Sequence, residues 1–162
     1  MPVTNITKDL DTRSLVITAS FAAPVERVWQ VYADPRQLER IWGPPTYPAT
    51  VTEHSLTPGG RVHYFMTGPE GDRFYGGWNV LTVDEPHGFT FEDFFADENY
   101  TPSADLPVSA GSVTFEADGD RTTATFTATY PTAEALQQVL DMGMEEGTRE
   151  AMGQIDALLA EG

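Results

Sequence analysis

Residues 57–86 read TPGGRVHYFMTGPEGDRFYGGWNVLTVDEP, and this stretch decides the fold. Val62, Tyr64 and Met66 alternate with His63 and Phe65, the period of two that places one set of side chains on each face of a β-strand. Pro58-Gly59-Gly60, Gly68-Pro69-Glu70-Gly71 and Glu85-Pro86-His87-Gly88 bracket the β-rich runs 60–67 and 73–84, and turns this short make neighbouring strands pair as hairpins. The same pattern spreads outward to runs at 47–55, 88–96, 111–118 and 121–130, the last two joined by Asp118-Gly119-Asp120. These runs predict an antiparallel meander.

Before it, Leu15, Ile17, Ala19 and Phe21 alternate with polar or small residues and predict a first strand over 14–21, behind an N-terminal tail of residues 1–13. Val25, Val28, Trp29 and Tyr32 then share one helical face, with Pro24 suited to the first helical position. Asp34-Pro35-Arg36-Gln37 restarts the helix with an acidic N-cap, leading to Leu38 and Ile41, and Trp42-Gly43-Pro44-Pro45 stops it. Two short helices therefore lie between strands one and two. After the meander the period changes again: Thr132 is an N-cap, and Leu136, Val139, Leu140, Ile155 and Leu158 keep helical spacing. A helix over this terminal stretch would be about 40 Å long. Gly143, Gly147 and Gly153 lie inside it, and two readings stand open. Either Gly143, Gly147 and Ala151 form a stripe where the sheet or a ligand comes close to the helix backbone, or the helix kinks there. Between the fourth and fifth meander runs, residues 97–110 (DENYTPSADLPVSA) are too long and Pro-rich for a tight turn, and they are expected as a surface loop able to act as a lid. The fold class is α+β: a curved antiparallel sheet of about seven strands wrapped on a long C-terminal helix, with a single domain over 14–162.

Composition excludes several functions. Lys and Arg number 9 against 25 Asp and Glu, a formal charge of −16, which repels phosphate backbones and anionic lipid surfaces and argues against nucleic-acid or membrane partners. No run approaches the roughly 18 apolar residues of a membrane span and no signal peptide is recognisable, so a cytoplasmic location is expected. With no cysteine, disulfide, thiolate-metal and thiol chemistry are absent. His54, His63 and His87 have no ligand spacing, so no metal is expected, and no nucleophile elbow, phosphate loop or dinucleotide fingerprint calls for a cofactor.

The order of elements, together with Leu38-Glu-Arg-Ile-Trp-Gly-Pro44, Thr57-Pro-Gly-Gly-Arg-Val-His-Tyr-Phe-Met66, Gly77-Trp-Asn-Val-Leu-Thr-Val-Asp-Glu-Pro86 and Met142-Gly-Met-Glu-Glu-Gly147, resembles the family named for the activator of the heat-shock-protein-90 ATPase. That family lies within the START-like, birch-pollen-allergen-like superfamily. The resemblance implies a helix-grip fold. It also implies a choice among functions, since the superfamily includes lipid and hormone carriers, polyketide cyclases and dehydratases, and chaperone activators. The chaperone role is discounted, because the eukaryotic activator uses a further domain.

The residue-level reading is of a chamber for a small hydrophobic or amphipathic ligand between the sheet and the C-terminal helix. Its lining is assigned to Trp42, Tyr64, Met66, Trp78, Phe91, Phe94, Tyr100, Met142, Gly143 and Met144, an apolar set with a few polar tips. An ordinary packed core is the competing reading for each residue singly. One of Glu92 and Asp93 must face the concave side. Unpaired, it would have a raised pKa and could serve acid–base chemistry; paired with Arg61, Arg73 or Arg121 it would be a structural ion pair. Glu145 and Glu146 read as a solvated helix face. No catalytic residue is assigned, an acid–base enzyme and a chaperone-interacting module remain the alternatives, and the acidic surface is compatible with a monomer or a homodimer.

Overall fold

The computed structural model describes residues 3–161; residues 1, 2 and 162, at the ends of the expected tail and domain, lie outside the described residues. Eight antiparallel strands form one sheet in the order β1-β2-β8-β7-β6-β5-β4-β3: β1 Val3–Asp9, β2 Ser14–Phe21, β3 Ala49–His54, β4 Arg61–Thr67, β5 Arg73–Asp84, β6 Gly88–Ala96, β7 Ser109–Asp118 and β8 Arg121–Thr129. Antiparallel neighbours follow in sequence from β3 to β8, joined by short turns where the turn clusters predict them and by the long segment 97–108 between β6 and β7. Helices α1 (Val25–Ala33) and α2 (Pro35–Trp42) carry the chain from β2 to the far edge strand β3.

The expected tail contains the additional strand. Residues 3–9 pair with β2, and a bulge between Val3 and Asn5 sets Val3, Ile6 and Lys8 opposite the inward residues Ala19, Ile17 and Leu15. The bulge breaks the period of two, so Val3 and Ile6 share a face three residues apart, and alternation does not reveal the strand.

Both short helices form for the predicted reasons. The Asp34 side chain accepts from the Arg36 N–H at 2.9 Å, Pro35 opens α2, and Gln37 Nε2 donates to Asp34 Oδ2 at 3.0 Å. Pro24 occupies the N-cap of α1 rather than its first helical turn. Helix α1 packs Trp29 and Tyr32 against Phe89 and Phe115, with ring centroids 5.5–6.2 Å apart. His54 faces inward and meets the Tyr32 carbonyl through Nε2 at 2.9 Å, which ties β3 to the end of α1.

The terminal helix is broken, not continuous. It runs as α3 (Ala133–Asp141), α4 (Met144–Gly153) and α5 (Ile155–Ala160), with Thr132 capping α3 through the Ala135 N–H. Gly143 sits at the break with φ +87° in the left-handed region. A Cβ added at Gly143, Gly147 or Gly153 would meet nothing within 4 Å, so no backbone packs closely on the glycine stripe. Among the described residues no helix is long and apolar enough to cross a membrane.

Candidate functional site

Alternation along β4 puts Val62, Tyr64 and Met66 on the concave face, and the pairing of Tyr64 with Gly76 leaves room for the tyrosine to lie across β5. A Cβ on Gly76 would stand 2.7 Å from Tyr64 Oη. On β6, Phe89 and Phe91 point inward, and the same parity carries Asp93 and Phe95 to that face while Glu92 is exposed. Phe91 lies over Gly111 of β7, where a Cβ would stand 2.5 Å from the ring. Asp93 pairs with Trp78 on one side and Ser109 on the other. On β8 the concave parity runs through Thr122, Ala124, Phe126 and Ala128 to Tyr130 just beyond the strand. Tyr130, Ser109, Asp93 and Tyr64 therefore form a polar row across the inner face of the sheet.

Tyr64 Oη donates to Asp93 Oδ1 at 3.3 Å. Protein surrounds the Asp93 carboxyl closely enough that desolvation raises it from 3.8 to about 7, against the opposing effect of the Tyr64 hydrogen bond, although the residue keeps some solvent contact. No lysine, arginine or histidine lies within 4 Å of it among the described residues. The three arginines considered as partners are elsewhere: Arg61 on Glu53 at 3.1 Å, Arg73 over the Phe65 ring at 4.4 Å, and Arg121 on Ser20 Oγ at 3.0 Å. Burial and the nearby Asp93 charge push the Tyr64 hydroxyl well above its ordinary range, and the same two causes raise Tyr130.

Trp42, at the end of α2, is held by Gln154 Nε2 donating to the Gly43 carbonyl at 2.7 Å. Its ring lies 6.0 Å from Tyr64 and 4.8 Å from Trp78, and Trp78 lies 4.6 Å from Phe91. The indole N–H groups of Trp42 and Trp78 are buried without an acceptor at hydrogen-bonding geometry, although Trp42 approaches the Tyr64 oxygen closely enough to favour its ionised form. Met144 opens α4 and receives a contact from Tyr130 Oη to its sulfur at 3.1 Å. The rings of Trp42, Tyr64, Trp78, Phe89 and Phe91 fill the space between sheet and helix, where an open chamber was expected. Met66, Asp93, Phe95, Trp42 and Met144 remain partly exposed, so the inner face of the sheet reaches solvent at this end. A separate surface cleft of about 470 Å³ lies between Glu39, Arg40, Pro48, Ala49, Gln154 and Ala157.

The structure thus brings together Trp42, Tyr64, Met66, Trp78, Phe91 and Met144. Met142 caps α3 with 57% exposure and Gly143 marks the helix break beside Met144. Phe94 and Tyr100 are corrections. Phe94, an odd number of residues from Phe91, has the opposite parity and lies over Gly77 on the outer face. Tyr100 stacks on the outward His63 with centroids 4.3 Å apart and meets Thr52 Oγ1 at 2.7 Å. Its segment folds back on the end of β6 through an Ala96–Pro102 bridge and a Ser103 N–H to Phe95 carbonyl bond, so this half of the expected lid is tied down away from the inner face. Tyr130 and Ser109 were missed by sequence reasoning; the period-two run from Ala124 to Tyr130 was the available signal. Among the described residues no cluster suited to a metal ion is present.

Known proteins match this architecture over its whole length. A crystal structure of protein Ms6760 from Mycobacterium smegmatis is 61% identical, with a TM-score of 0.91 over 98% of this chain and 97% of that one. A solution structure of a protein from Arthrobacter aurescens is 46% identical, with a TM-score of 0.94 over 99% and 93%. DynU16, from the dynemicin biosynthetic locus, is 18% identical with a TM-score of 0.63 over 88% of this chain and 47% of its own, and it shares the fold alone. No curated protein matches. The family described as Activator of Hsp90 ATPase homolog 1-like protein matches residues 22–160, and on that match, with the helix-grip sheet and its terminal helix in place, the chain belongs to this family.

Proposed function

We propose that the protein binds a small amphipathic molecule where the inner face of the sheet reaches solvent beside α4. The apolar part would rest against Met66, Phe95, Met144 and the Trp42 ring, and the polar end against the Asp93–Tyr64 pair. One observation carries this reading: a carboxyl group held in a desolvated aromatic setting without a cation is costly in a core that serves packing alone.

Titration with the neutral lipophilic dye Nile red tests it. Saturable binding with a fluorescence rise is expected, weakened about fivefold or more by Trp42→Ala and by Met144→Ala, since each removes an apolar wall. Binding that neither substitution alters would place the dye elsewhere and overturn the assignment.

Proton transfer by Asp93 during turnover is a second reading, favoured by a carboxyl poised near neutrality. It predicts that Asp93→Asn keeps ligand binding and loses turnover. An interaction module built on exposed apolar surface has less support, because Leu10, Leu81, Val108 and Met142 are exposed on separate elements, while Tyr47 and Phe74 adjoin as a single pair of rings 5.9 Å apart.

A further inference from the structure

We propose that the polar end of the bound molecule is a protonated amine, so that the ligand class is a lipophilic amine; this rests on the binding reading above. The cluster around Asp93 has the make-up of a cation site. Asp93 Oδ1 accepts from Tyr64, whereas Oδ2 accepts no hydrogen bond among the described residues. The basic side chains that could have approached from the walls are already engaged: Lys8, opposite an inward residue on β1, pairs with Glu145 of α4 at 2.9 Å, and Arg27 donates to Gln37 and to the Leu158 carbonyl. Aromatic side chains adjoin the carboxyl: Tyr64 donates to it, Trp42 lies 6.0 Å from the Tyr64 ring and the Asp93 charge reaches Tyr130, and such rings favour a neighbouring cation. A ligand carboxylate would meet Asp93 as a like charge, and an alcohol would gain a hydrogen bond without the ion pair. The formal charge of −16 also raises the local concentration of cations around the molecule.

Protonation links the site to pH. Burial places the Asp93 carboxyl at about 7, and an alkylamine with an ordinary pKa of about 10.4 stays charged throughout this range, so its binding expels the proton from Asp93 and strengthens as pH rises through 7. The titratable groups facing Asp93 are Tyr64 on β4 and Tyr130 at the end of β8, both kept un-ionised by burial. Trp42 from α2, Ser109 from β7 and Met144 from α4 do not titrate. Glu145 of α4 is turned to Lys8 and held below its ordinary value, so it stays ionised.

The test is displacement of Nile red by n-decylamine, n-decanol and decanoate, which share a tail and differ in head group, in about 0.15 M salt to screen surface attraction. At pH 8 decylamine is expected to displace the dye at about tenfold lower concentration than decanol, with decanoate weakest. Lowering the pH to 6 should erase about tenfold of the amine's affinity and leave decanol unchanged. Asp93→Asn should bind amine and alcohol alike. Equal affinities for amine and alcohol in the unaltered protein at pH 8, or tightest binding of decanoate, would overturn the amine while leaving the amphipathic-ligand reading intact. Failure of Nile red and all three probes to bind would overturn both.

Discussion

Asp93 costs the folded protein stability that a neutral residue would not. Its folded pKa of about 7 lies above the ordinary 3.8, so between those values the folded state binds more protons than the unfolded one. Stability from this group is complete below about pH 4 and is lost as pH rises through 7. Asp93→Asn should therefore be more stable than the parent at pH 8 by about 2 kcal/mol, half the full conversion of such a shift because the residue keeps solvent contact. The difference should shrink towards pH 4. Urea denaturation of both proteins at the two pH values checks this, and a difference that grows on acidification would show that Asp93 is ionised by a partner. The same residue shows where local reading stops. Neighbouring carboxyls on a strand face opposite ways, so the sequence restricts the inward one to Glu92 or Asp93, and only the parity inherited from Phe89 and Phe91 selects Asp93.

At the level of elements, the terminal helix breaks at one glycine and tolerates another. Gly143 has a left-handed backbone that an L side chain adopts only with strain, whereas Gly147 lies inside α4 with open space where a Cβ would go. Gly143→Ala should destabilise by about 1 kcal/mol and Gly147→Ala should stabilise by about 0.5–1 kcal/mol, opposite shifts in melting temperature of about 2–4 °C. Thermal melts of the two variants separate the effects. A gain from Gly143→Ala would mean that α3 and α4 join into one helix in solution. The three glycines announced an irregularity, and the tertiary structure set the break at Gly143, beyond which α4 brings the Met144 sulfur to 3.1 Å from Tyr130 Oη.

Across the whole molecule, like-charge repulsion opposes compaction. Surface pairs such as Lys8–Glu145, Arg61–Glu53 and Arg40–Glu161 use a minority of the acidic groups, and each exposed pair contributes about 1 kcal/mol or less. Raising sodium chloride from about 10 mM to 150 mM should therefore increase the melting temperature by a few degrees, as screening relieves repulsion more than it weakens the pairs. A fall in melting temperature would show that attractive pairs dominate.

The sequence by itself determined the class of fold, the boundaries of most strands, the capped helix α2, and the placing of Tyr64, Trp78 and Phe91 on one face. These follow from period, turn chemistry and capping, which act within a few residues. Four things depended on contacts between distant segments. β1 became a strand because β2 offered it an edge across a bulge, and Phe94 and Tyr100 went to the outer face because strand parity and the His63 ring put them there. Tyr130 and Ser109 joined Asp93 because β6, β7 and β8 align in register. The space under the helix filled with aromatic rings, since cross-strand glycines at 76 and 111 let those rings lie flat over the sheet, a fit that only the assembled strands reveal.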